Sequence, residues 1–208
     1  MTFHAWLVFA AFWVLFVTSP GPNAANCIQT GMTHGFIRAL WGVLGILCQA
    51  ALFLGLSAVG ITALIAASPT AFFIGKLAGA ALLIWLGLRN WRRAAQPLAA
   101  NEVAAQEPAR LIWLRAFMVA TINPKSVAGY LAAFSQFVMD DVPIGQQMWV
   151  IVPTALTITA MSYAMYTGLG AWLGRRAMSA VANTTIRRVL AGCFIFYGLA
   201  LGATALPF

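Results

Sequence analysis

Charged residues are so sparse in this chain that the gaps between them set its pattern. No Asp, Glu, Lys or Arg occurs from Met1 to Ile37, from Ala39 to Gly75, from Val142 to Gly174, or from Val189 to Phe208. A helix needs about 20 apolar residues to cross roughly 30 Å of hydrocarbon. These runs, with Pro69–Leu88 and Leu111–Met139, predict six transmembrane helices. The expected spans are His4–Thr18, Ala39–Ala66, Pro69–Leu88, Leu111–Met139, Gly145–Leu173 and Val189–Leu206. The predicted class is therefore an all-α integral membrane protein. Several runs are longer than the bilayer requires, so tilted or broken helices are expected.

Composition supports that class. Hydrophobic residues make up 62% of the chain and charged residues 8%, against about 25% charged in a soluble domain. A water-facing surface cannot be built from so few charges. A secretory signal at the N-terminus is disfavoured, because only His4 precedes the apolar run and Pro20 and Pro22 sit where cleavage would fall.

The positions of the basic residues orient the spans. Arg38 lies in the first connection, Arg89, Arg92, Arg93, Arg110 and Arg115 flank the third, and Arg175, Arg176, Arg187 and Arg188 flank the fifth. The second and fourth connections have no Lys or Arg, and the fourth carries Asp140 and Asp141. Basic short loops stay cytoplasmic, which puts the odd connections inside and both termini outside. The net charge of +8 is then explained by anionic lipid headgroups at one face of the bilayer, with no nucleic acid needed. Gln96–Pro108, which holds Glu102 and Glu107, is the one linker-like stretch. It divides the chain into a first three-span repeat (1–95), a cytoplasmic linker (96–110) and a second three-span repeat (111–208).

The halves share features. TSPGPN (Thr18 to Asn23) near the end of the first span has a counterpart in TINPKS (Thr121 to Ser126) in the fourth, and Leu77–Ala78–Gly79 in the third has one in Leu190–Ala191–Gly192 in the sixth. An odd number of spans per half inverts the second repeat relative to the first. Inverted halves whose first helices are broken by proline point to a transporter's central site. Proline removes an N–H and frees a carbonyl, which at membrane depth must find a partner in protein or a water-lined cavity.

Lys125 is the most informative single residue, since a charge within a span is costly and faces a partner or cavity. It could dock a substrate carboxylate, or pair with backbone carbonyls, or snorkel to the interface. Beside it, Asn123, Pro124, Asn23, Pro20, Gly21 and Pro22 are candidate binding residues at the two breaks, with Lys76 and Ser126 as secondary candidates. His34, in the first connection, is expected to be an ordinary surface histidine. All four acids lie outside the spans, which disfavours a strongly cationic substrate and leaves no carboxylate to carry protons.

These residues resemble the LysE/RhtB family of amino-acid exporters. Thr18, Pro20, Gly21, Pro22 and Asn23 match its first-half motif, and Gly31, Gly35, Arg38, Gly42 and Gly45 follow in register. Lys76, Gly79, Ala80, Leu83, Leu86 and Gly87 match in the third span, and Asn123, Pro124, Lys125, Gln136 and Phe137 in the fourth. The likeness runs from about residue 10 to the end of the chain. Leu82, Ser126 and Ser135 depart from the family pattern. The resemblance implies export of an amino acid across a bacterial cytoplasmic (inner) membrane by alternating access, with protons as the coupling ion and no cofactor, and the lack of acids in the spans points to a neutral zwitterionic amino acid.

Other classes fit less well. A metal-ion exporter needs grouped carboxylate, thiolate or imidazole ligands, and no span offers two Asp, Glu or His. A thiol-redox carrier needs two cysteines that can meet, and Cys27, Cys48 and Cys193 have no paired spacing. No Ser/His, paired-Asp or H-E-x-x-H constellation supports an intramembrane enzyme. Small-residue pairs such as Gly42 with Gly45 and Gly168 with Gly170 allow close helix contact, within one chain or between copies in a homo-oligomer.

Overall fold

The computed structural model describes residues 2–60, 69–94, 107–123, 125–126, 129–130, 133, 137–138, 142–175 and 180–203, and every regular element among them is helical. There are seven: α1 (Phe3–Thr18), α2 (Pro22–His34), α3 (Phe36–Ala58), α4 (Pro69–Ala94), α5 (Ala109–Thr121), α6 (Ile144–Arg175) and α7 (Ala180–Ala203). Among the described residues, α3 and α6 are long and apolar enough to cross a membrane singly, and α1 and α2 pass that test only together, bent by 59° at the break between them. Large apolar side chains such as Leu15, Ile37, Val59, Met165, Val189 and Phe196 lie exposed on the outside, which suits a surface facing lipid.

Local chemistry sets the helix ends. The Thr2 hydroxyl caps α1 by accepting from the Ala5 N–H at 3.2 Å, as N-cap threonines do. The chain turns from α2 into α3 at Gly35, whose φ of 74° is open to glycine and strained for most other residues. The apolar runs locate the helices but misjudge several ends. α3 stops at Ala58, short of the expected Ala66, and is followed by Gly60 at φ 73°; the rest of that predicted span lies outside the described residues. α4 continues past Leu88 through Arg89–Arg93 to Ala94. α7 begins at Ala180, ahead of the predicted Val189. Hydropathy marks only the stretch suited to hydrocarbon, whereas helical hydrogen bonding continues into polar surroundings. α6 is 32 residues long, about 48 Å at 1.5 Å per residue, so it exceeds the hydrocarbon layer and carries its internal Pro153 on an exposed face.

Packing brings distant helices together. α2 lies along α6, α3 touches both α5 and α6, α1 packs on α6, and α4 pairs with α7. The α2–α6 seam depends on glycine. A Cβ added to Gly31 would strike the Thr167 carbonyl, and one added to Gly170 would strike the Ile28 carbonyl. Gly45 presses in the same way on the Trp113 carbonyl of α5. Of the small-residue positions named from the sequence, Gly45 and Gly170 thus make close contacts within one chain, while Gly42 and Gly168 are in ordinary van der Waals contact. Three apolar clusters fill the interior: Phe9, Trp13, Ala50, Tyr130 and Ala155; Ala25, Leu83, Val119 and Phe194; and Cys27, Ile46, Ala120 and Tyr163.

Candidate substrate site

The site begins with two missing amide hydrogens. In an unbroken helix the N–H of Pro20 would serve the Phe16 carbonyl and that of Pro22 the Thr18 carbonyl. Neither proline has one. The Ser19 hydroxyl donates to the Phe16 carbonyl at 3.0 Å, and the Tyr166 hydroxyl of α6 donates to the Thr18 carbonyl at 2.5 Å. The Ser19 carbonyl, also released by the break, accepts from the Lys125 ammonium at 2.5 Å. Side chains from two other parts of the chain therefore satisfy backbone carbonyls that the break releases.

The far side of the break starts α2. Gly21 occupies the N-cap with extended backbone and no capping side chain, and Pro22 follows in the first turn. The missing Cβ of Gly21 points at the stem of Lys125, 3.7 Å from its Cδ. Asn23, one residue on, is 4% exposed, and its Nδ2 donates to the Tyr163 hydroxyl at 3.4 Å. Its Oδ1 is buried with no hydrogen-bond partner among the described residues.

The second break has its own cap. α5 ends at Thr121, and the Ile122 N–H donates to the Met118 carbonyl at 3.1 Å. Asn123 is 2% exposed and accepts on Oδ1 from the Lys125 N–H at 3.1 Å, while its carbonyl accepts from the Ser126 N–H at 2.9 Å. This is N-cap geometry, and the described positions that follow, from Lys125 to Phe137, are helical. The Lys125 ammonium also lies 5.4 Å from the centre of the Phe16 ring, within cation–π range.

Of the sequence candidates, the structure gathers Pro20, Gly21, Pro22, Asn23, Asn123, Lys125 and Ser126 around the two breaks. Pro124 lies outside the described residues. Lys76 is on α4, and its side chain lies outside them too. Lys125 pairs with a backbone carbonyl, one of the alternatives its sequence position left open. Tyr163 and Tyr166 were not anticipated. Within an apolar run a tyrosine counts as apolar, and only their three- to four-residue spacing with Ser162 and Thr167 hints at a polar face on α6.

A second polar group forms at the arginine-rich end. His34 proves not to be a surface histidine: its side chain is 4% exposed and its Nε2 lies 2.8 Å from Glu107 Oε2. Arg115 pairs with the other carboxylate oxygen, and Arg38 donates to the Glu107 carbonyl at 2.5 Å. The hydrogen bond from His34 is the main cause holding the Glu107 carboxyl below its ordinary value of 4.5; the charges on Arg115 and Arg89 add to it and partial burial opposes it. The end of the linker is thus fastened to α2, α3 and α5.

A family model described as LysE-type translocator matches residues 14–204. The chain belongs to the LysE-type translocator family. It is 33% identical to an uncharacterized membrane protein of Vibrio cholerae over 99% of each chain. It is 32% identical to the homoserine/homoserine lactone efflux protein of Salmonella typhimurium over 87% of this chain and 90% of that one. The leucine efflux protein of an Enterobacter species is 27% identical over 76% of this chain and 74% of its own. No solved structure matches. As a LysE-type translocator the protein is a membrane efflux transporter, not an enzyme.

Proposed function

We propose that this translocator exports neutral, zwitterionic amino acids from the bacterial cytoplasm across the inner membrane, by alternating access coupled to protons. The carrying observation is the Lys125 bond to Ser19, which joins the two proline breaks beside the unmatched oxygen of Asn23. A substrate carboxylate can take over the Lys125 ammonium, a charge-assisted bond stronger than the one to a neutral carbonyl. Asn23 and Asn123 line the approach, and the uncapped start of α2 adds a positive dipole end. The names of the Salmonella and Enterobacter relatives, homoserine/homoserine lactone and leucine efflux proteins, fit a neutral substrate.

The architecture that serves this cycle is six spans in two inverted repeats, with α1–α2 as the first span and α5 opening the fourth. Exchanging the halves maps α1 onto α5, α3 onto α6 and α4 onto α7. α1 packs on α6 as α5 packs on α3, and α4 pairs with α7, which is the pairing such an exchange requires. The cluster of His34, Arg38, Glu107 and Arg115 then belongs to the cytoplasmic face.

The test is efflux from cells preloaded with dipeptides, across a panel including homoserine, leucine and lysine. Faster release of neutral amino acids than in cells lacking the protein supports the proposal. Release of lysine or arginine alone would sink it.

A further inference from the structure

Two deeply buried carboxamides have unmet hydrogen-bonding groups, and the groups are complementary. Asn23 is 4% exposed and Gln49 is 1% exposed. Asn23 Oδ1, an acceptor, and Gln49 Nε2, a donor, have no partner among the described residues. Gln49 is also the one carboxamide in α3, an otherwise strongly apolar helix. Burying such groups unpaired is unfavourable, so a partner that binds there is favoured by both.

Their places in the fold set them at a similar depth on two neighbouring helices. α2 and α3 meet at the turn at Gly35 and pack against each other. At about 1.5 Å per residue, Asn23 lies about 18 Å along α2 from that turn and Gln49 about 21 Å along α3. The register is fixed independently, since Cys27 of α2 and Ile46 of α3 share one cluster with Tyr163. Asn23 and Gln49 each lie about one turn further from Gly35 than those two residues. Ala50, next to Gln49, packs with Trp13, Tyr130 and Ala155. Gln49 thus sits between a layer built on Tyr163 and a layer built on Tyr130. The Tyr163 bond to Asn23 Nδ2 holds that amide with its oxygen unused.

We propose that Gln49 is a substrate-binding residue and works with Asn23 as a donor–acceptor pair. The Asn23 oxygen accepts from the α-ammonium of the amino acid, and the Gln49 nitrogen donates to its carboxylate. The proposal rests on the amino-acid reading of the site and deepens it. Both groups are neutral, so they favour the zwitterion and add no preference for a charged side chain. Lys125 supplies charge from the break, and Gln49 supplies direction.

The test is ligand binding to the purified full-length protein, with L-leucine, L-homoserine, L-leucinol (no carboxylate) and 4-methylpentanoate (no ammonium) as probes. Losing a hydrogen bond to a charged group corresponds to about a tenfold loss of affinity. Gln49→Leu is expected to cut the preference for leucine over leucinol by about tenfold while leucinol binding stays near the wild-type level. Gln49→Glu, of the same shape, is the second variant. It replaces the donor with an acceptor and is expected to lose leucine while retaining leucinol. Asn23→Leu is expected to erode the preference for leucine over 4-methylpentanoate instead. A purely structural role would weaken every probe alike, and equal weakening, or an unchanged leucine-to-leucinol ratio in both Gln49 variants, overturns the proposal. Failure of the folded wild-type protein to bind either amino acid would overturn the amino-acid reading itself, an outcome visible before any variant is made.

Discussion

The ammonium of Lys125 donates to the backbone carbonyl of Ser19 at 2.5 Å, so the cation next to the second break completes the hydrogen bonding of the first. A single side chain therefore holds both proline breaks at one place in the bundle.

Lys125→Met keeps the length of the side chain and removes its charge. Efflux of neutral amino acids is expected to fall by about tenfold or more, the scale of one charge-assisted hydrogen bond. Dipeptide-loaded cells give the rate and immunoblotting of membranes gives the amount of protein. Near-normal efflux at equal abundance would remove Lys125 from substrate docking.

Tyr166→Phe removes only the hydroxyl that serves the Thr18 carbonyl. The expected cost is about 1 kcal/mol, the net value of one hydrogen bond at a partly exposed position. A lower unfolding midpoint in detergent, with wild-type purification yield, is the expected result. An unchanged midpoint would show that the freed carbonyl finds another donor.

The glycine seam makes a paired prediction. Gly170→Ala sets a Cβ against the Ile28 backbone and is expected to cost about 1–3 kcal/mol as overpacking. Gly55→Ala, on α3 with nothing within 4 Å of its Cβ, is expected to gain about 0.5–1 kcal/mol through helix propensity. Opposite shifts in thermal unfolding would bear this out, and equal shifts would not.

At the cluster of His34, Arg38, Glu107 and Arg115 the sign of the pH effect follows from Glu107, whose carboxyl is held below its ordinary value of 4.5. A depressed carboxyl contributes stability that is fully present above the unfolded value and is lost as pH falls through the lower folded value. The wild-type protein is thus expected to keep this contribution at neutral pH and lose it only in acid below about 4.5. Glu107→Gln should flatten that part of the pH–stability curve. If the variant and wild type lose stability in parallel on acidification, the Glu107 contacts do not contribute.

Much of this architecture was legible in the sequence because its signals are local. Runs without charge place the helices, and proline next to Gly21 and Asn123 places the breaks. Asn23, Asn123 and Lys125 could be named because they adjoin those prolines. Tyr163 and Tyr166 could not, since their hydroxyls bond to partners on other helices. The bond from Tyr166 to Thr18 spans 148 positions of sequence, and nothing in the chain near either residue announces it. His34 was misjudged for the same reason, because Glu107 lies far along the chain and reaches it only through folding.

The glycines between α2 and α6 also limit how the protein can move. Where backbone meets backbone there is no intervening layer of side chains to yield, and the contact is made at three glycines, Gly31, Gly170 and Gly174. α2 and α6 therefore travel together as one lever. In the proposed export cycle α1 is carried with them through its own packing on α6.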